Sequence, residues 1–513
     1  VTVFALEDRT LKRDEKMKPE LFIGLVGATG TPLDELSLML RDAFGLVGYQ
    51  THTVKLSKLI EEIGHVPPQS HEADRIEKCM DAGDALRLLH GNNYVGLLAV
   101  TAIRKHRKDI NGPIENHGAD ISAMVPLTAT AYIIDSLKHP EEVNTLRSIY
   151  GRSFYLLSAY SREKNRCERL QKKFGIKDGD HYQTEFDRNE KAVELMKRDK
   201  NSGLPNGQQV SKTFPLADFF VDSDKQDSTK RSFNGKIEYR LVERFFRGTT
   251  QHEIDRFVAL LFGDTFRTPT REEYCMFHAH AAALRSADLG RQVGAAIATI
   301  AGDIVAVGTN EVPKAGGGQY WDGDPDDHRD FKQGHDANDV RKRRIFDDIL
   351  LRLSTSGHLV MNEEQMAKLS SEIFSPFPPK DFKEAEFLDV IGFYRAVHAE
   401  TAALLDASRR GVSTKDATMY VTTFPCHECA RHIVAAGIGR VLYIEPYPKS
   451  LASEHYPDSI CVDAAEADKI NFESFVGVAP RQYIPLFTKT KRKRENSAPN
   501  RPPIPLISSH PIR

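Results

Sequence analysis

The sequence predicts an α/β protein with two sheets, parallel in the N-terminal half and mixed in the C-terminal half. Three observations lead there. Short apolar runs at 21–26, 130–135 and 154–160 alternate with helical patterns, as strands joined by crossover helices do. In the second half, apolar runs at 291–298 and 303–308 are joined by a turn at Gly302-Asp303, which makes an antiparallel hairpin. Between the halves, residues 222–238 have linker composition, and a chain of 513 residues is too long for one ordinary domain.

A polar lead-in occupies residues 1–20. The run at 21–26 is a buried-type strand. It is followed by Gly27, Ala28, Thr29, Gly30, Thr31 and Pro32, then an amphipathic helix through about Leu46. Strand, glycine turn and helix are the setting of a phosphate-binding loop. The full pattern G-x-x-x-x-G-K-[ST] is absent: aligned on Gly30, its lysine position holds Thr31 and the next holds Pro32. Three readings stay open: a degenerate loop that binds nucleotide without phosphoryl transfer, a plain strand-to-helix turn, and an active kinase.

The run at 95–100 reads as a second buried strand, followed by the basic cluster 104–108. Residues 130–135 and 154–160 are further strands, with helices starting near 136–143 and over 162–173. The two basic clusters either meet nucleotide phosphates or are solvated helix faces. Residues 176–212 read as a long polar insertion and 214–221 as a closing strand. These limits give a domain over 21–222, then a linker and connecting helix over 223–268.

The second domain spans 269–488. It opens with an alanine-rich helix over 271–285 and continues through the hairpin. An insertion at 315–385 follows, whose Asp324, Asp326, Asp327, His328, His335 and Asp336 are irregularly spaced candidates for a second metal. A helix around His398, a strand at 418–423, a helix around Cys426 and a strand at 440–445 complete it. Residues 489–513 are basic, then proline-rich, and read as a disordered tail.

Composition excludes several classes. Lys+Arg 70 against Asp+Glu 72 leaves a formal charge of −2, so no global field draws the chain to nucleic acid or anionic membrane. No run of about 18 apolar residues suggests a membrane span, and the charged first twenty residues do not read as a signal peptide. Six cysteines in so long a chain are not a disulfide framework, which points to a reducing, cytoplasmic setting.

The chemistry concentrates in His398-Ala399-Glu400 and Pro425-Cys426-His427-Glu428-Cys429. Together they form the H-x-E…P-C-x-x-C signature of zinc-dependent nucleobase deaminases. One imidazole and two thiolates suit zinc, and three protein ligands leave a fourth position for water, whose pKa the metal lowers toward neutrality. Glu400 is the candidate proton shuttle. Pro425 suits the first turn of a helix, which would place both cysteines at its positive end. The competing reading is a closed structural site, with His427 or His432 as a fourth ligand.

From about 270 to 488 the chain resembles deoxycytidylate deaminases. The resemblance is carried by Gln292-Val293-Gly294-Ala295, Thr309-Asn310-Glu311 with Pro313, His398-Ala399-Glu400 and Pro425-Cys426-x-x-Cys429-Ala430. It implies zinc on His398, Cys426 and Cys429, Asn310 on the sugar, and the Ala399 backbone N–H on the pyrimidine carbonyl. Thr309 and Arg285 join them as candidate substrate-binding residues. Glu311 stands where such enzymes usually carry glycine. The N-terminal half resembles a P-loop nucleotide-kinase domain, with Gly27, Ala28, Thr29, Gly30 and Thr31 as its candidate phosphate contacts.

The fusion is similar to the bacterial anti-phage dCTP/dCMP deaminases, helped by residues 138–143 and 216–222. That likeness implies a cytidine-deaminase-like α/β/α domain, depletion of dCTP during infection, and nucleotide effectors such as dTTP. It also implies a homo-oligomer, a hexamer for example, and in some members restraint by a small RNA. Magnesium would accompany a bound triphosphate. Competing readings are a housekeeping dCMP deaminase, an editor of bases within RNA or DNA, and a nucleotide kinase or sensor with a purely structural deaminase half.

Overall fold

The computed structural model describes residues 18–112, 121–175, 184–200, 202–225, 248–264, 266–375, 378–382, 385–447, 449–462, 466 and 468–488. Most of the expected lead-in, most of the linker and the tail lie outside them. The architecture is mixed α/β with two six-stranded sheets. The chain divides into two compact units, one of residues 1–270 with 476–513 and one of residues 271–475.

In the first unit, β1 (Leu21–Gly27) is buried at every position. Parallel neighbours flank it on both sides: β3 (Thr130–Asp135) and beyond it β2 (Gln50–Lys55), and β4 (Phe154–Tyr160) and beyond it β5 (Phe219–Asp222). The order therefore reverses around β1, and in such sheets a ligand crevice opens at the carboxyl ends of the strands at the reversal. The helices are α1 (Leu33–Leu46), α2 (Leu56–Ile63), α3 (Glu72–His90), α4 (Tyr94–Asn111), α5 (Pro140–Tyr150), α6 (Glu163–Gly175), α7 (Glu185–Lys200) and α8 (Thr250–Leu261).

Three expectations are corrected here. Residues 95–100 are not a strand but the start of α4. The run is apolar at helical spacing, with Val95, Leu98, Ala99 and Ile103 buried, and a short apolar run does not distinguish the two by itself. The stretch 176–212 holds the sixteen-residue α7, so it is not a plain polar insertion. Residues 476–487 do not complete the second domain. The strand Gly477–Val478 pairs antiparallel with Phe219 and Phe220 of β5, and Val478 and Leu486 are buried in the core of the first unit.

The second unit holds β6 (Gly294–Ala298) paired antiparallel with β7 (Ile304–Thr309) and with β8 (Thr418–Thr423), after which β9 (Arg440–Glu445), β11 (Ile470–Ser474) and β10 (Ile460–Val462) continue in parallel. The hairpin turns at Gly302, whose φ of +96° suits glycine, with Thr299 N–H donating to the Asp303 carbonyl. Helices are α9 (Arg271–Ala283), α10 (Ala337–Thr355), α11 (Glu363–Ile373), α12 (Ala399–Arg409) and α13 (His427–Ala435). Two glycines let helices lie on the sheet. A Cβ at Gly294 would strike the α9 backbone at Ala279 and Ala283, and one at Gly308 would strike the α12 backbone at Ala399 and Ala403. No helix among the described residues is long and apolar enough to cross a membrane.

Candidate active site and metal centre

Two helix starts build the site. His398 is the N-cap of α12 and Cys426 the N-cap of α13, both extended in backbone, and Cys429 lies in the first turn of α13. Pro425 thus precedes the cap and is not the first helical residue. His398 is placed by its neighbour: Val397 and Glu311 exchange backbone hydrogen bonds at 3.0 and 3.3 Å, locking the chain before α12 to the loop after β7. Cys426 is delivered directly by β8.

His398 Nδ1 lies 3.3 Å from Cys426 Sγ and 3.4 Å from Cys429 Sγ. Among the described residues, these three make the metal-holding group, all ligand atoms lying within 4.8 Å of one another. A tetrahedral zinc with ordinary Zn–N and Zn–S lengths would put nitrogen and sulfur about 3.6 Å apart. The donor set and its spacing therefore fit zinc. His427 and His432 do not join the group: His432 Nδ1 bonds the Thr401 hydroxyl at 3.0 Å, and His427 packs against His455. Among the described residues no fourth donor joins the three, the number of protein ligands that leaves a coordination position open.

The three groups share their protons closely. Hydrogen bonds from Cys429 and His398 hold the Cys426 thiol far below its usual range. Cys429, which gives up a hydrogen bond to Cys426 and is deeply buried, is pushed up. For His398, burial opposes the charge, but the Cys426 thiolate outweighs it and raises the imidazole to about 9. A divalent cation reverses both tendencies, deprotonating thiols and imidazole as it binds.

Glu400 is in the first turn of α12, 4% exposed, with the Cys429 thiol 3.4 Å from its Oε2. Burial, and then the Cys426 thiolate, push its carboxyl up to about 7. A carboxyl that titrates near neutrality both takes and gives a proton, as a shuttle must. Ala399 is fully buried at the first helical position, where a helix leaves an N–H without an intrahelical acceptor.

The remaining sequence candidates divide. Asn310 is 8% exposed, and its side chain clamps the strand entrance: Oδ1 accepts from Val293 N–H at 2.7 Å and Nδ2 donates to the Arg291 carbonyl at 2.6 Å. Thr309 is buried beside it, its hydroxyl 3.5 Å from the Val293 carbonyl. Arg285 is committed to the insertion. It donates to the Gln319 side chain and to the Gln319 and Tyr320 carbonyls, and stacks on Trp321 at 3.6 Å. Gly27, Ala28, Thr29, Gly30 and Thr31 lie in the first unit, at the carboxyl end of β1. The second-metal candidates do not converge among the described residues: Asp324 pairs with Lys314, Asp327 with Arg329, and Asp336 caps α10.

Two contributors were not visible in the motif. Thr401 joins the sulfur of Cys429, at 3.7 Å, to His432. Glu311, where glycine was the norm, buries its carboxylate against the Ala287 and Val312 N–H groups at 3.0 and 2.9 Å, with Arg329 at 3.7 Å. Its partners lie on both sides of it in sequence, so no local spacing announced them.

His398, Cys426 and Cys429, at the N-terminal ends of two helices over a mixed sheet, form a group able to hold zinc. Residues 269–445 match the zinc-binding region of cytidine and deoxycytidylate deaminases. The chain is 48% identical over 54 residues to the deoxycytidylate deaminase of phage T4, covering 10% of this chain and 28% of that one. It is 36% identical over 92 residues to the human enzyme, covering 18% and 44%. With the probable deoxycytidylate deaminase of Drosophila melanogaster the identity is 27% over 214 residues, covering 42% and 72%. The chain thus spans under a third of the phage relative and under half of the human one. Among solved structures, the cyanophage S-TIM5 dCMP deaminase in complex with dCMP and dUMP aligns over 41% of this chain and 99% of its own, at 16% identity and a TM-score of 0.23.

Proposed function

We propose that the C-terminal unit hydrolytically deaminates free deoxycytidine nucleotides, dCMP and/or dCTP, to dUMP and/or dUTP. The observation that carries this is the three-ligand group of His398, Cys426 and Cys429 with the buried Glu400 carboxyl against it.

Zinc, held by His398, Cys426 and Cys429, would supply a water that ionises near neutral pH. Glu400 takes the proton of that water as its oxygen bonds to C4, and passes it to ring N3. Glu400, again ionised, then takes the proton of the new C4 hydroxyl and gives it to the amino group as the C4–N bond breaks, so ammonia leaves and C4 becomes a carbonyl. The Ala399 N–H receives the pyrimidine carbonyl, and the Asn310 loop borders the sugar. Arg285 and Thr309 act here through the loops they hold.

A free nucleotide is favoured over a base within RNA or DNA by the balanced charge of −2 and the lack of an aromatic-basic stripe. The N-terminal unit is proposed as the regulatory nucleotide-binding part, taking dTTP or another effector with its magnesium. Homo-oligomerisation, a small inhibitory RNA and a role in depleting dCTP during phage infection extend the same resemblance. The deciding experiment offers the zinc-loaded protein cytosine mono-, di- and triphosphates, with and without dTTP, and measures ammonia. Release from deoxycytidine nucleotides supports the proposal. Release from none of them overturns it.

A further inference from the structure

We infer that the turn after β1 is an anion site completed by Lys138 and occupied by the chain's own Asp199, so that a phosphoryl group enters only by displacing that carboxylate. The inference rests on the proposed reading of the N-terminal unit as nucleotide-binding and stands apart from the deamination chemistry.

Asp199, near the end of α7, is fully buried. A carboxylate is almost never so unless something pays for its desolvation. Here its Oδ2 accepts the Thr29 backbone N–H at 2.6 Å, and its Oδ1 lies 2.9 Å from Lys138 Nζ. Lys138 Nζ also donates to the Gly27 carbonyl at 2.8 Å. The carboxylate thus takes a backbone amide of the turn that precedes α1 and a lysine cation, donors of the kind that a phosphate would use.

The loop lacks its own lysine because that position is Thr31. Lys138, from the segment after β3, brings an ammonium to the same turn. Among the described residues Thr31 Oγ1 is buried without a partner, and the N-cap residue Pro32 gives α1 no side-chain cap. Gly30, at φ +91°, lies so close to α6 that a Cβ would meet the Arg166 carbonyl, and Arg166 Nη1 donates to the Thr29 carbonyl at 3.3 Å.

Asp199 is presented by an anchored helix. Ala192, Leu195 and Met196 of α7 bury against Ala73 and Met80 of α3 and Leu170 and Phe174 of α6. Arg198 pairs with Asp81 and Asp84 of α3 at 2.8 and 3.0 Å. Because carboxylate and phosphate would compete for the same donors and repel each other, occupancy by one excludes the other.

The ligand class is a phosphoryl anion, from a nucleotide or from free polyphosphate. The test titrates the full-length protein and Asp199→Asn with inorganic pyrophosphate by calorimetry. The amide oxygen still accepts from Thr29, so the turn is kept while the competing charge is removed. Asp199→Asn should bind pyrophosphate about ten-fold tighter or more, and Asp199→Asn/Lys138→Met should lose that gain. A second arm with dTTP and dCTP separates a nucleotide site from a polyphosphate site. Equal affinity of wild type and Asp199→Asn overturns the inference, as does tight binding that survives loss of Lys138. If Asp199→Asn fails to fold, amide exchange on the wild type decides. Millimolar pyrophosphate should speed exchange across 185–200, and unchanged exchange there overturns the inference.

Discussion

The Thr401 hydroxyl lies 3.0 Å from His432 Nδ1 and ties α12, which carries Glu400, to α13, which carries Cys429. The same oxygen is 3.7 Å from Cys429 Sγ. Groups that support a metal ligand from behind orient it and tune its basicity, and their loss typically costs about 10–100-fold in metal affinity or activity. Thr401→Val keeps the shape and removes the hydroxyl. It should weaken zinc binding by roughly that factor while the fold persists, which a competitive chelator titration measures. Unchanged zinc affinity would show that the contact only packs the two helices.

Glu400→Gln isolates the proton shuttle from the metal. The amide fills the same buried space beside Cys429 but cannot take a proton from water. Zinc content should stay at the wild-type level by atomic absorption, while turnover of deoxycytidine nucleotides should fall by about 10²–10⁴-fold or more. Residual activity within a few-fold of wild type would remove Glu400 from the mechanism.

How much of this was legible in the sequence depended on how local the physics was. The group of His398, Cys426 and Cys429 was readable because zinc chemistry asks for such residue types at such spacing, and helix starts bring them together. β1 and its following helix were readable because an apolar run, a glycine turn and helical periodicity all lie within thirty residues. The run at 95–100 was not, because five or six apolar residues suit a buried strand and a buried helix equally. Asp199 and Lys138 were invisible at the β1 turn, since they reach it across 170 and 111 residues of chain. Glu311 departed from the expected glycine, and only the fold showed that buried N–H groups and Arg329 receive its charge.

Cys426→Ala removes one of three ligands and should abolish stoichiometric zinc. Because metal bound only to the folded state stabilises it, the wild type should melt at a lower temperature after chelation. The variant should melt near the chelated wild type and ignore the chelator. Retention of one zinc per chain by Cys426→Ala, read by metal analysis, would contradict the three-ligand assignment.

Gly308→Ala probes how the sheet positions the site. Gly308 sits in β7 where α12 crosses, and an added Cβ would fall on the Ala399 carbonyl oxygen and crowd the Ala403 backbone, far inside contact distance. Backbone atoms of a helix packed on the sheet cannot swing aside as a side chain would, so α12 must lift from the sheet. Overpacking of this kind costs about 1–3 kcal/mol or more. The lift also moves His398 and Glu400, at the start of α12, relative to the cysteines of α13. Gly308→Ala should therefore lose both stability in urea and zinc affinity. Gly294→Ala, which strikes α9 at Ala279 and Ala283 instead, should lose stability while zinc affinity changes far less. Equal loss of zinc affinity in the two variants would mean that the site responds to general loosening of the unit and not to the placement of α12.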